Sequence, residues 1–383
     1  GPNGQGLGGG IDTDGVNIAT RWAYLDFNIG KSINVKAGQQ AFKDQLKGLY
    51  VDADLPALQV AYTAGAYKLN LVYSRFNDVV TASATTNPWG NMGDASADLF
   101  GIENSYALSK DTKVALVYYL NSDNTSQDSL GTVNQAQARQ KKVNTFGLSG
   151  ETKLGDLALS AFAAMQAGYQ KNAGANFRTV NYHGWATATN AKMKVGTGAA
   201  KMGFLFASGN GGSDASHDAH NNAWQTLSSN SNNATQNSYN ESGMMLLARN
   251  TSMGGTNTDN YFRKPVSNIA LLTMGYDANL TEKLYMNGNV GFAWAPSSQQ
   301  EGHQDFDRFV KYGEVKNNGG DFMGTEINLE TGYKLYKNLT LKAQAAYVVL
   351  GGYYKNSGFN ADLTAGKTPD NPFSTRLAAS FSF

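Results

Sequence analysis

The sequence has no cysteine in 383 residues. That removes disulfides, zinc–thiolate sites, thiol nucleophiles and haem attachment through Cys-x-x-Cys-His. It also lacks charge of a dominant sign: 31 Lys and Arg face 30 Asp and Glu, so no global field recruits nucleic acid or an acidic partner. Charged residues are only 16% of the chain, below the roughly 25% usual in soluble domains. No run of about 18 apolar residues occurs, so no membrane-crossing helix is encoded. There is no Gly-x-Ser-x-Gly, His-Glu-x-x-His or phosphate loop, and no enzyme is expected. Gly1-Pro2 opens without a signal peptide, as expected of a mature or trimmed chain. What abounds is glycine, with 43, and aromatics, with 20 Tyr and 18 Phe.

The informative pattern has period two. Tyr67, Leu69, Leu71 and Tyr73 alternate with Lys68, Asn70, Val72 and Ser74. Leu339, Leu341, Ala343, Ala345, Tyr347 and Val349 alternate with Thr340, Lys342, Gln344 and Ala346. Strands send successive side chains to opposite faces, whereas a helix would scatter these residues around its circumference. A soluble sandwich would alternate too. Against it, one face carries small and charged residues where a soluble barrel needs a packed interior. The other face is bracketed by Tyr106, Tyr118, Tyr276, Trp294, Tyr333 and Tyr347, as the aromatic girdles of a membrane barrel require.

Connections alternate in length as well. Tight turns are expected at Gly30-Lys31, Gly65-Ala66, Lys110-Asp111, Leu154-Gly155, Thr281-Glu282 and Lys337-Asn338. Long polar segments occupy 77–95, 121–138, 209–263, 296–318 and 355–371. This asymmetry of short and long connections predicts a single all-β domain over 1–383, a transmembrane antiparallel up-and-down β-barrel. Strands are expected at 16–28, 31–40, 55–64, 66–76, 97–109, 112–121, 141–153, 156–169, 176–190, 197–208, 266–278, 282–295, 321–335, 339–353 and 372–383. That is about fifteen, and bacterial barrels have even counts, so about sixteen are expected with a first upward strand ahead of Gly1.

The lumen is the extended candidate site. Alternation points Lys36, Lys68, Lys113, Lys201, Lys342 and Arg376 inward, with Arg21 less firmly placed, together with Glu103, Glu151, Glu326 and Glu330. Charges at a constriction filter solutes, and this set leans basic. Within 209–263, Met244-Met245-Leu246-Leu247-Ala248 interrupts a polar run. Such a patch needs burial, inside the barrel mouth or against a partner. His217 and His220, with Asp214 and Asp218 nearby, are a weak metal candidate. No cofactor is expected.

The chain ends Ser380-Phe381-Ser382-Phe383, and Gly324-Thr325-Glu326-Ile327-Asn328-Leu329 leads into Asn338-Leu339-Thr340-Leu341. On these residues it resembles the Gram-negative outer-membrane porins, including putative and alginate-export-like barrels. Gly38-Gln39-Gln40 departs from the Gly-Arg-Gln of the latter group. The resemblance implies a bacterial outer-membrane location among lipid and lipopolysaccharide. It also implies Phe381 and Phe383 as the signal read by the barrel-assembly machinery, small polar solutes as cargo, and a homotrimer as the assembly. In trimeric porins an outer loop folds inward; loop 77–95, with Asp78 and Asp94, is the counterpart here. The expected function is passive or weakly selective diffusion of ions and small polar solutes. The alternatives are a specific channel for anionic oligosaccharides or organic acids, and an outer-membrane receptor, adhesin or structural barrel.

Overall fold

The computed structural model describes residues 21–78, 96–124, 140–173, 178–210, 218–229, 234–235, 239–248, 266–297, 320–354, 358–359, 365–367 and 370–382. Its strands are β1 Ala23–Ile29, β2 Ile33–Lys43, β3 Asp52–Ala64, β4 Tyr67–Asp78, β5 Ser96–Ala107, β6 Thr112–Asp123 and β7 Gln140–Leu154. Next come β8 Leu157–Ala173, β9 Arg178–Tyr182, β10 Trp185–Val195, β11 Gly198–Ala207, β12 Asp218–Asn221, β13 Ser228–Ser229 and β14 Ala234–Thr235. The last are β15 Ile269–Asn279, β16 Leu284–Trp294, β17 Phe322–Tyr336, β18 Leu339–Leu350, β19 Gly358–Phe359, β20 Ala365–Lys367 and β21 Phe373–Phe381. No described helix is long and apolar enough to cross a membrane.

Seventeen of these strands form one sheet. β9 and β10 share one register against β8, with Tyr182 opposite Gly168 and Trp185 opposite Met165, so they are a single stave broken at His183–Gly184. Fifteen staves therefore follow one another antiparallel, and the short β12 lies parallel beside β9. Each stave overlaps one expected strand, most with edges shifted by a few residues, although the first begins at Ala23 where the expected strand begins at 16. Among the described residues β1 pairs with β2 and β21 with β18, and no register joins β1 to β21. The crossing expected ahead of these staves falls outside the described residues.

Short turns close one end. Ala64–Tyr67, Leu154–Leu157 and Val195–Gly198 are two-residue hairpins in which Gly65, Gly155 and Gly196 adopt φ of 57°, 61° and 59°. Glycine is the residue that takes this left-handed geometry without a Cβ penalty. The outward face of the wall is apolar: Leu116 is 60% exposed, Leu148 58%, Met165 61% and Ile327 59%. Leu71, Leu341, Leu377 and Phe381 share that face and are exposed as well. Tyr62, Tyr106, Tyr276 and Tyr333 ring it near the short turns, and Trp185, Trp294, Tyr347 and Phe373 ring it near the opposite end. An exposed apolar belt between two aromatic girdles is a lipid-facing surface.

The interior departs from expectation. The half nearest the short turns is open: Lys68, Glu151 and Lys153 are exposed there. The other half is packed. Tyr119, Leu205, Leu271, Ala293 and Val348 from the wall share one buried cluster with Leu46, Leu49, Tyr50, Trp224, Leu227, Tyr239, Met244 and Leu247. The small, polar inner face predicted from sequence holds for the open half alone.

Candidate functional site

Two connections at the long-loop end fold into the lumen, 44–51 between β2 and β3 and, between β12 and β15, the described residues 222–227 and 239–248. Together they form a plug. The first wraps a carboxylate. Asp44 accepts N–H groups from Leu46 at 2.6 Å, Gly48 at 3.1 Å, Tyr50 at 2.9 Å, and also Val51. Lys47 and Gly48, with φ of 62° and 82°, bend the chain tightly enough to aim those donors at one point. Burial pushes the Asp44 carboxyl up, to about 7, against the four N–H groups that favour its anion. Burial likewise raises the Tyr50 phenol.

The second connection is gripped from the wall. Glu326 on β17 is fully buried. Its carboxylate accepts three successive backbone N–H groups, Met245 at 2.6 Å, Leu246 at 3.0 Å and Leu247 at 2.7 Å. Asn328 Nδ2 donates to Glu326 at 2.7 Å and to the Gly243 carbonyl at 3.0 Å. Gln166 on β8 donates to the Gln225 carbonyl at 2.7 Å and accepts its N–H at 2.8 Å. The Leu227 N–H donates to the Tyr50 carbonyl at 3.0 Å, tying the two connections together. Two inward glycines make room: a Cβ at Gly147 would come within 2.8 Å of Leu46 Cδ2, and one at Gly291 would strike Met244 Sδ.

A cavity of about 280 Å³ lies beside the plug, lined by Lys36, Lys43, Gln59, Lys68, Asn70, Glu103 and Lys113, with Phe42 and Gln45 also contributing. Glu103 accepts Tyr119 Oη at 2.6 Å and Asn70 Nδ2 at 2.9 Å. Lys43 lies 3.9 Å from Asp52, and among the described residues no ion pair takes Lys36, Lys68 or Lys113. Lys36 Nζ instead sits 4.3 Å from the Tyr24 ring centre, a cation–π contact. Three ammonium groups around one hydrogen-bonded carboxylate make this cavity net basic.

The other expected lumen residues distribute as follows. Glu151 meets Lys47 of the plug at 3.2 Å. Lys201 pairs with Asp277, which also binds Lys192 at 2.7 Å. Sequence reading did not single out Lys192, because it ended the stave at 190 although the strand continues to Val195; Asp277 lay within the expected strand 266–278 but was not counted among the inward charges. Glu330 accepts Tyr285 Oη at 3.0 Å and the Gln344 amide. Lys342 and Arg376 occupy inward positions of β18 and β21, half-buried. Arg21 is at the rim instead, 2.7 Å from Asp54. The assignment of Glu326 to a water-filled wall is corrected: it points inward, but the plug covers it. Asp94, His217, Phe383 and the side chain of Asp78 lie outside the described residues, as does most of loop 77–95. His220 is described, and its neighbour is His183, with ring centres 5.7 Å apart. No group of three His, Asp or Glu side chains that could hold a metal occurs among the described residues.

An up-and-down wall with a lipid-facing belt, short turns at one end and inward-folded connections at the other defines a porin-like transmembrane β-barrel fold. No family model matches the sequence, and no curated protein does. Solved structures are similar in fold. The outer-membrane protein OpdK from Pseudomonas aeruginosa has a TM-score of 0.50 at 13% identity, over 94% of this chain and 78% of that one. OprD of the same organism has a TM-score of 0.49 at 11% identity, over 94% and 77%. OccK2 (OpdF), solved with glucuronate, has a TM-score of 0.49 at 11% identity, over 94% and 81%.

Proposed function

We propose that this chain is an outer-membrane channel for passive diffusion of ions and small polar solutes, with a mild preference for anions. The observation that carries the reading is the basic cavity inside a lipid-facing barrel, where Lys36, Lys68 and Lys113 surround Glu103. A solute passing there exchanges part of its hydration for ammonium contacts, and an anion gains where a cation is repelled. The lysines lie in the open, unpacked half of the lumen, so water screens them and the preference is mild. In a planar bilayer under a salt gradient, the reversal potential should favour anions at 0.1 M salt and fade towards 1 M, as the Debye length falls from about 10 Å to about 3 Å. Lys68→Glu with Lys113→Glu should turn the preference towards cations. An unchanged reversal potential in the folded double variant would refute the assignment of selectivity to this cavity. No conductance in folded protein would favour a receptor or structural barrel.

The plug favours a second reading, a narrower channel specific for small organic anions or anionic oligosaccharides. Liposome-swelling rates separate the two. Specific uptake should saturate for one anion class, whereas passive diffusion should fall smoothly with solute size.

A further inference from the structure

We propose that His183 and His220 form a two-imidazole site for a divalent transition-metal ion at the long-loop mouth of the barrel. The fold brings together residues far apart in sequence. His183 sits in the break between β9 and β10, and His220 lies on β12, which runs parallel to β9 with His220 opposite Asn181. The His183 N–H donates to the Asn221 carbonyl at 3.0 Å, so backbone pairing fixes both residues. Both side chains are exposed, and among the described residues no hydrogen-bond partner takes either ring.

The spacing suits a shared ion. A zinc ion about 2.1 Å from an imidazole nitrogen lies about 3.2 Å from the ring centre, so two rings in one tetrahedral shell have centres about 5.2 Å apart. The observed 5.7 Å needs closure by about half an ångström, within reach of small side-chain rotations. Two nitrogen ligands with the remaining positions left to water select Cu²⁺, Ni²⁺ or Zn²⁺ over the hard, oxygen-seeking Ca²⁺ and Mg²⁺. With two protein ligands the ion should exchange readily.

The site also has mechanical leverage. β12 leads directly into the plug: Trp224 is buried, and its N–H donates to the Ser208 carbonyl at 2.9 Å. At Gly184, beside His183, a Cβ would come within 2.8 Å of the Ala223 carbonyl and Trp224 Cα. An ion held by both histidines therefore clips the root of the plug to the wall. At a concentration about a hundredfold above its Kd, such an ion favours the clipped state about a hundredfold.

The test is titration of the full chain, folded in detergent and checked by its heat-modifiable gel mobility, with Zn²⁺ by calorimetry and with Cu²⁺ by electron paramagnetic resonance. The expected result is one site with hyperfine coupling to two nitrogens. Affinity should drop at least about tenfold in His183→Asn and in His220→Asn and stay unchanged in His217→Asn. No binding below roughly 1 mM, equal affinity in His183→Asn, or loss in His217→Asn alone would overturn the proposal. The binding measurement does not depend on the channel reading, so the two can fail separately. Where both hold, Zn²⁺ should lower conductance in the parent chain and leave His183→Asn unaffected.

Discussion

Replacing Glu326 with alanine removes one side chain and leaves three backbone donors without an acceptor, the buried ones of Met245 and Leu247 and the half-buried one of Leu246. Each such donor costs about 1–3 kcal/mol if it stays buried. The substitution also removes the desolvation cost of the carboxylate itself, so the lower end of the range is the appropriate one, about 3 kcal/mol in all. This penalty falls on plug docking and not on the wall, because a displaced plug can hydrate its donors. At about 1.4 kcal/mol per factor of ten, the displaced state should gain roughly a hundredfold. Opposing this, displacement exposes Met244 and Leu247, each worth about 1.5–3 kcal/mol when buried, so the docked state persists as a weakened majority. The chain has no cysteine, which makes the assay clean. Leu247→Cys alone and with Glu326→Ala would be labelled by a water-soluble maleimide, and single-channel conductance recorded in parallel. Labelling should accelerate about a hundredfold, with larger or more frequent openings. Glu326→Gln, which keeps one acceptor oxygen, should fall between. Equal labelling rates and equal conductance in folded protein would refute the idea that this carboxylate holds the plug.

Asp44 gives the plug a pH dependence. Its docked-state pKa of about 7 lies above the ordinary carboxylate value of about 3.9, so the docked loop holds a proton that the free loop releases. The resulting stabilisation is full below about 3.9, declines as pH rises and is gone above about 7. Conductance should therefore rise between pH 4 and 7, and Asp44→Asn should flatten that rise; an identical profile in the variant would count against it. Leu116, outward and 60% exposed, should tolerate no charge: Leu116→Lys should cost about 2–4 kcal/mol in denaturant unfolding from vesicles, and a cost near zero would place this face away from lipid.

The staves were legible because lipid on one side and water on the other impose period two on Leu69, Leu71, Leu116 and Leu341. The content of the lumen was only partly legible. Alternation states which face Glu326 occupies but says nothing of what covers it. The Met244–Ala248 run betrayed itself as apolar sequence in a polar connection. Leu46, Leu49, Tyr50 and Val51 carry the same signal, but they fall between the expected strands 31–40 and 55–64, where no role was assigned to them. His183 offered no partner in the linear sequence because its neighbour arrives through a parallel pairing between β9 and the distant β12. Most of loop 77–95, the expected constriction, lies outside the described residues, whereas 44–51, 222–227 and 239–248 fold into the lumen.

The half-packed interior means that this barrel answers to two solvents. Its outer wall partitions into hydrocarbon, where backbone groups find no water and strands must pair as they leave it. Its inner cluster, from Tyr119 to Met244, is assembled out of water as in a soluble protein, and so carries the heat-capacity signature of apolar hydration. Cooling should loosen that inner cluster while leaving the lipid-held wall intact. A calorimetric transition of the plug, separate from and below that of the barrel, is the trace such a division would leave.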